Sequence, residues 1–315
     1  MEIFKPAAPG SKADLKPETD KNKLEWGICA PQEVAAASAG LAEALRTGKT
    51  DLQKAREILS DPKMLRSFVV EGEYDGLQRG LEVFLKEEFG PQADIYSVKG
   101  GDMVAMLHRA GLPEQYLVEL LDAAFHRKDA VMFYRLLAVI FENGDSLENR
   151  DLVLRAEHNR ASWKYSIGKD PEASIKANLK VAREAGERGQ DILHWKARLG
   201  LASQKNLKPK DKASDFKTIA EKMESLDHLY DAHRAKIEEA RARVHLASLQ
   251  ISAKDSAVRE DNLERARGLI GEVMEYSKKS GYKKLAEITL KLLERYAKES
   301  GNRKFAQEIK EKMVP

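Results

Sequence analysis

The chain has 315 residues, of which 42% are hydrophobic and 33% charged, and its 54 basic and 51 acidic side chains leave a formal net charge of +3. This near balance argues against a polyanion as an obligatory partner. No stretch reaches the ~18 uninterrupted apolar residues that a membrane-spanning helix requires. A single cysteine, Cys29, excludes an internal disulfide framework and fits a reducing compartment.

Residues 1–23 are rich in proline, lysine and aspartate and poor in apolar side chains, which predicts a flexible N-terminal arm. The arm lacks the apolar core and the small-residue cleavage site of a secretory signal, so we predict a cytoplasmic protein. An alternative is that the arm serves as a leader for secretion by another route.

Residues 24–145 are predicted to form an irregular helical half. The alanine-rich segment 31–46 is a strong helix former, and Asp129 is placed to cap an apolar helix that begins at residue 130. Ile95, Tyr96 and Val98 follow a glycine and a proline and favour a short strand. We predict a loop or a minor strand there, because an isolated strand has no obvious partner except residues 68–70.

Residues 146–315 are more regular, with apolar side chains recurring every three or four positions. Each apolar stripe covers about a third of its helix and the rest is charged, so no such helix is stable alone and neighbours must share a core. The sequence therefore predicts an all-α protein. One such stripe comprises Ile237, Ala240, Val244, Ala247 and Ile251.

A short phrase recurs in this region: a polar gap, a capping residue and, a few positions later, an alanine. At its clearest, Asp170 is predicted to cap a helix with Pro171 in its first turn and Ala173 facing a neighbouring helix. The related alanines are Ala213, Ala266 and Ala306, at intervals of 40, 53 and 40 residues, and Ala55 is a fifth candidate. A recurrence near 40 with two helices per unit is typical of stacked helical hairpins.

From Leu152 to the C-terminus the chain thus resembles the tetratricopeptide-repeat (TPR) family, in which a small residue of the second helix follows a turn like Gly168–Asp170. The resemblance implies antiparallel hairpins stacked into a superhelix. It also implies a concave groove, lined by the first helices, that binds a protein or peptide. The matching groove positions are His158, Ser162, Arg198 and Lys205.

Sequence patterns typical of enzymes are missing. The chain contains no phosphate-binding glycine loop, no G-x-S-x-G and no H-E-x-x-H. His228 and His233 are five residues apart, roughly 140° around a helix, which disfavours a shared metal ion. We therefore predict no catalytic residue, no metal site and no cofactor.

The leading hypothesis is a non-enzymatic protein–protein interaction module. The sequence identifies neither the partner nor the oligomeric state, and a homo-oligomer is one of the alternatives. One alternative is a helical enzyme with a pocket at the junction of the two halves, near residues 96–102. Another, less favoured, is nucleic-acid binding through the lysine-rich segments 205–212 and 278–284, the second of which contains Tyr282.

Overall fold

The computed structural model describes residues 29–46, 52–147, 149, 151–204, 208–250 and 256–313. Within these residues the secondary structure is entirely helical, with fifteen α-helices and no strand, which confirms the all-α prediction. None of the described helices combines the length and the apolar character needed to cross a bilayer. The N-terminal arm predicted for residues 1–23 lies outside the described residues.

The helix bounds, in chain order, are α1 Pro31–Arg46, α2 Leu52–Leu59, α3 Pro62–Glu71, α4 Tyr74–Phe89, α5 Gly100–Ala110, α6 Gln115–Arg127, α7 Ala130–Glu142, α8 Asp151–Ser166, α9 Pro171–Glu187, α10 Asp191–Gln204, α11 Pro209–Ser225, α12 Leu229–Leu249, α13 Ser256–Ser280, α14 Lys283–Ser300 and α15 Arg303–Met313.

Several helices begin where a side chain caps the first turn. The Asp170 carboxylate accepts a hydrogen bond from the Ala173 amide at 3.0 Å, and Pro171 occupies the first helical position, as predicted. Asp129 caps α7 in the same way through the amide of Met132, at 3.0 Å. Such caps satisfy amides that have no partner inside the helix, and therefore fix where each helix starts.

The alanines of the repeated phrase lie on alternate helices, α9, α11, α13 and α15, which fits two helices per unit. Ala213, Ala266 and Ala306 are buried, but Ala173 is only half-buried. The small residue that α9 buries is the next one, Ser174, whose hydroxyl donates to the Ala161 carbonyl of α8 at 2.6 Å. The predicted close contact exists, one residue further along than expected.

From α6 onward each helix packs against the next in sequence. Short connections make such consecutive helices antiparallel, so this region is a serial array of helical hairpins. Every second helix also contacts the one two places further on: α6 with α8, α8 with α10, α10 with α12 and α12 with α14. These helices form the inner layer of the array, and α7, α9, α11 and α13 lie between them on the outside.

The inner layer closes on itself, because α14 contacts α3 and α3 contacts α6. We call α3, α6, α8, α10, α12 and α14 the inner ring. At the closure, the Lys284 ammonium of α14 donates to the Tyr74 hydroxyl at 3.2 Å, and Val70 of α3 packs with Tyr230 and Tyr282. The sequence indicated an array confined to the C-terminal part; the contacts extend it to the N-terminal helices.

The largest hydrophobic cluster runs from Val34 to Leu201 and includes Ile140 and Leu147, on either side of the predicted division at residues 145 and 146. A second cluster joins α12 to α15, and a third lies between α10, α11 and α12. The division of the chain into 24–145 and 146–315 stays a prediction.

Residues 93–98 form a turn. The Asp94 carboxylate accepts hydrogen bonds from the amides of Tyr96 and Ser97, and Ile95 and Val98 are buried. Arg135 of α7 donates to the carbonyl oxygens of Ile95 and Val98. A side chain from a neighbouring helix thus satisfies the backbone groups that a strand partner would otherwise bind.

A charged cavity inside the inner ring

The inner ring encloses a cavity of about 360 Å³, which we call the central cavity. Five of the six ring helices, α3, α6, α8, α10 and α12, contribute side chains to its wall. The cavity therefore exists only because helices from both halves of the chain meet around it.

Helix α8 supplies the longest stretch of wall, with residues spaced three and four apart and thus on one face. These residues are Arg155, His158, Asn159, Ser162, Tyr165 and Ser166. Helix α10 contributes a similar face, comprising Lys196, Leu199, Gly200, Ser203 and Gln204. His158 and Ser162, two of the predicted groove residues, thus line the cavity.

The other two predicted groove residues do not. Arg198 is exposed and lies outside the cavity wall, with its guanidinium carbon 6.0 Å from the centroid of the Trp195 ring. The reason is helical geometry: two residues after Lys196, which does line the cavity, a side chain points about 200° away. Lys205 lies outside the described residues.

One end of the cavity is built on a network of buried ion pairs. Arg66 of α3 lies 2.6 Å from the Asp122 carboxylate of α6, and Arg155 of α8 lies 2.6 Å from Glu119 and 3.1 Å from Asp122. Gln115 donates a further hydrogen bond to Glu119 at 3.0 Å. Buried charges require such partners, since removal of one would leave the other desolvated and uncompensated.

A second group of charges joins α10 to α12. The Lys196 ammonium lies 3.0 Å from the Asp231 carboxylate, which also lies 3.0 Å from His228 Nδ1 and 3.8 Å from Arg234. Lys196 and Asp231 are both buried. Sequence reasoning missed these residues, yet Lys196 falls in line with Leu193, Ala197 and Leu201 on the buried face of its helix, and a charge within an apolar stripe is a usable signal.

Burial and ion pairing shift the pKa values of these groups. Burial alone would raise the pKa of Asp122, but Arg155 and Arg66 lower it to about 2. Burial alone would raise the pKa of Asp231, but Lys196 and His228 lower this pKa well below its ordinary value. Burial, followed by the charge of Arg66, lowers the pKa of Lys196 to about 8 against the opposing effect of Asp231. Both carboxylates are therefore ionised at neutral pH.

Two histidines in the wall are neutral at pH 7. Burial lowers the pKa of His158 to about 4, although its hydrogen bond to Asn178 acts in the opposite direction. Burial, followed by the charge of Lys284, lowers the pKa of His126 to about 4. His158 Nδ1 lies 2.8 Å from Asn178 Oδ1, and because the Asn178 amide donates to Gln204, this nitrogen carries the proton.

Asn159 is 8% exposed, and its Nδ2 group is buried against the cavity without a hydrogen-bond partner among the described residues. A buried amide donor without a partner costs about 1–3 kcal/mol. The wall of the central cavity therefore contains a buried, unused donor together with four cationic side chains.

A second cavity of about 450 Å³, the mouth pocket, shares Tyr165 and Ser203 with the central cavity. Its wall is mainly basic and comprises Lys212, Arg241, His245 and Arg295 together with the single carboxylate Glu238. The central cavity thus adjoins a basic pocket at the C-terminal ends of α8 and α10.

A pocket of about 490 Å³ lies near residues 96–101, but all of its lining residues belong to the N-terminal half and not to the junction where a pocket was predicted. Among the described residues that line this pocket, Glu142 is the one carboxylate, so the pocket lacks the pair of acids that acid–base catalysis would use.

In the second lysine-rich segment, Tyr282 is 7% exposed and packs at the ring closure, where it cannot stack on a base. Residues 205–207, at the start of the first lysine-rich segment, lie outside the described residues.

The residues that the structure describes contain no cluster of three or more histidine, cysteine, aspartate or glutamate side chains arranged to hold a metal ion. His228 and His233 have different partners, Asp231 and the Leu229 carbonyl respectively.

No family model matches the sequence, and no curated protein matches it. Among solved structures, the chain is similar to one described as a circular tandem repeat protein with novel repeat topology and enhanced subunit contact surfaces. The two are 18% identical with a TM-score of 0.25, and the alignment covers 89% of this chain and 62% of the other. The all-α assignment therefore rests on the helices of this chain itself.

Proposed function

We propose that the chain is a non-enzymatic, TPR-like interaction module that binds a peptide or a protein segment through the central cavity and the mouth pocket. The observation that carries the proposal is the cavity of about 360 Å³ inside the inner ring, lined by polar side chains from five helices. His158 and Ser162, which the resemblance to repeat proteins assigned to ligand binding, lie in its wall.

The dimensions of the two cavities support this role. Ligand-binding pockets usually have volumes of about 300–1,000 Å³. The central cavity and the mouth pocket share two wall residues, so they lie side by side and together form an elongated binding surface that includes the buried ion pairs. An extended segment fits such a surface better than a compact small molecule does.

The electrostatics of the two cavity aspartates favour a role in binding. A general acid or base works best with a pKa near the operating pH. Asp122 and Asp231 have pKa values far below neutrality, and each is held by cationic partners. These carboxylates act as fixed counter-charges that position Arg66, Arg155 and Lys196.

Selection from a random 12-residue peptide library against the full chain tests the proposal. We expect enriched peptides that bind the wild-type protein and bind the Ser162→Trp variant at least about tenfold more weakly, because the indole fills the space that the ligand occupies. Ser214→Trp places the same side chain on the exposed surface of α11 and should leave the affinity unchanged.

Circular dichroism and thermal melting of both variants separate blocked binding from misfolding. The proposal is wrong if folded wild-type protein enriches no peptide, if the enriched peptides bind Ser162→Trp as tightly as the wild type, or if the protein turns over a small molecule in the cavity.

A further inference from the structure

We infer that the deep end of the central cavity is a binding site for one carboxylate group, with the Asn159 side-chain amide as a donor to it. If the carboxylate belongs to a bound peptide or protein segment, this inference rests on the proposed function and names the group that the cavity binds. A free small organic acid is the other source of the same chemistry.

The first observation is the Asn159 amide. Its Nδ2 group is buried in the cavity wall and has no partner among the described residues, although Asn159 is 8% exposed. An amide N–H₂ group donates and does not accept, so the ligand atom that satisfies it is an acceptor.

The second observation is the charge of the wall. Four lining side chains are cationic: Arg66, Arg155, Lys196 and Arg234. The carboxylates paired with them are Asp122 and Asp231 of the wall and Glu119, which lies behind the wall against Arg66 and Arg155. The cations exceed the carboxylates by one. His126 and His158 add no charge at neutral pH, because burial lowers the pKa of each to about 4.

An excess of one positive charge matches a singly charged anion. A dianion such as a phosphate would leave negative charge without compensation in a buried site, which is costly. A cation would face the excess positive charge and would leave the Asn159 donor without a partner. A carboxylate carries one charge and only acceptor atoms, and it therefore meets both requirements.

Neighbouring side chains extend the site. Arg155 lies four residues before Asn159 and Ser162 three residues after it, so all three share one face of α8. Lys196 faces them from α10. A carboxylate beside Asn159 is thus within a wall that offers an amide, a hydroxyl and charged donors.

The test is a titration of the full-length chain, labelled with ¹⁵N-asparagine, with sodium acetate at constant ionic strength. Acetamide, which has the shape of acetate without its charge, is the comparison ligand. We expect a saturable shift of the Asn159 amide signals with acetate and no saturable shift with acetamide.

Two substitutions assign the effect. Asn159→Leu removes the donor, and Asn159→Asp puts a negative charge in its place, so each should weaken acetate binding about tenfold or more. Asn302→Asp makes the same chemical change at the start of α15, where aspartate caps the helix as well as asparagine does, and should leave acetate binding unchanged. Because Asn159→Leu and Asn159→Asp change the polarity of the site in opposite ways, a fold defect in one leaves the other informative.

A final comparison distinguishes the two sources of the carboxylate. If a bound segment supplies it, acetate competes with library-selected peptides, and these lose affinity when an acidic side chain is replaced by its amide. If a free acid supplies it, acetate binds while selected peptides are insensitive to that replacement. Failure to select any peptide would remove the proposed function and leave the acetate result standing. Equal, non-saturating shifts with acetate and acetamide would overturn the inference.

Discussion

The buried histidines make the stability of the protein depend on pH. His158 has a pKa of about 4 in the folded chain because it is buried, whereas an unfolded histidine titrates near 6.5. Between these values the unfolded chain binds a proton that the folded chain does not, so stability falls as the pH falls from 6.5 towards 4. Asp122, with a pKa of about 2, loses its contribution only at lower pH.

We therefore expect His158→Gln to reduce the loss of stability on acidification. Between pH 7 and pH 5 the wild-type histidine should cost about 2 kcal/mol of unfolding free energy, and the variant should be spared that loss. Glutamine can still donate to Asn178, so the hydrogen bond is retained. Urea unfolding of both proteins at the two pH values measures the difference; parallel pH profiles would show that His158 is not a buried neutral group.

Residue positions on a helix were the least predictable feature of the site. His158 and Ser162, which the resemblance implied, line the cavity. Arg198 lies outside the wall although the next residue, Leu199, is part of it, because one step along a helix turns a side chain by 100°. Asn159 has no distinguishing sequence signal. Its importance comes from burial and from the absence of a partner among the described residues, and both depend on helices distant in sequence.

At the scale of the helices, close packing depends on a few glycines. Gly80 of α4 lies where a Cβ atom would be 2.6 Å from Leu59 Cδ1 and 2.8 Å from the Tyr116 hydroxyl. That hydroxyl donates to the Leu77 carbonyl at 2.6 Å, so it has little freedom to move. Gly80 thus permits α2, α4 and α6 to meet.

Gly80→Ala should destabilise the fold by about 1–3 kcal/mol, the usual cost of overpacking a core. Gly268→Ala is the matched control. A Cβ atom at this exposed position of α13 meets nothing within 4 Å, and alanine should stabilise the helix by about 0.5–1 kcal/mol. Thermal and urea unfolding would reveal opposite signs for the two variants; equal effects would contradict the packing at Gly80.

Helices themselves were the most predictable elements, for local reasons. Asp129 and Asp170 were recognised as caps because a capping side chain and the first turn are adjacent in sequence. Residues 95–98 were ambiguous between loop and strand because their conformation depends on Arg135, which lies far along the chain and satisfies their backbone carbonyls.

At the scale of the whole molecule, closure of the inner ring is the feature that no local pattern indicates. The hydrogen bond between Tyr74 and Lys284 joins residues 210 positions apart. Val70 packs with Tyr230 and Tyr282, which belong to the other end of the array. The periodic stripes predict that helices stack in pairs, but they carry no information about how far the array curves.

We expect Val70→Ala to destabilise the fold by about 2 kcal/mol through the cavity it leaves. It should also speed amide hydrogen exchange in α14 as well as in α3, because the two helices meet at the closure. Val131→Ala, at a position that is 69% exposed on α7, should change neither quantity. Faster exchange in α3 alone would show that the closure contributes little to holding α14.

The closed ring also restricts how this architecture can change in evolution. An open array grows or shrinks by whole hairpins, since each unit contacts only its neighbours. Here a duplicated or deleted hairpin would alter the circumference and separate Tyr74 from Lys284 unless every interhelical angle adjusted together. The number of hairpins is therefore fixed by geometry, and variation is expected in the outer helices and in the side chains that face inward.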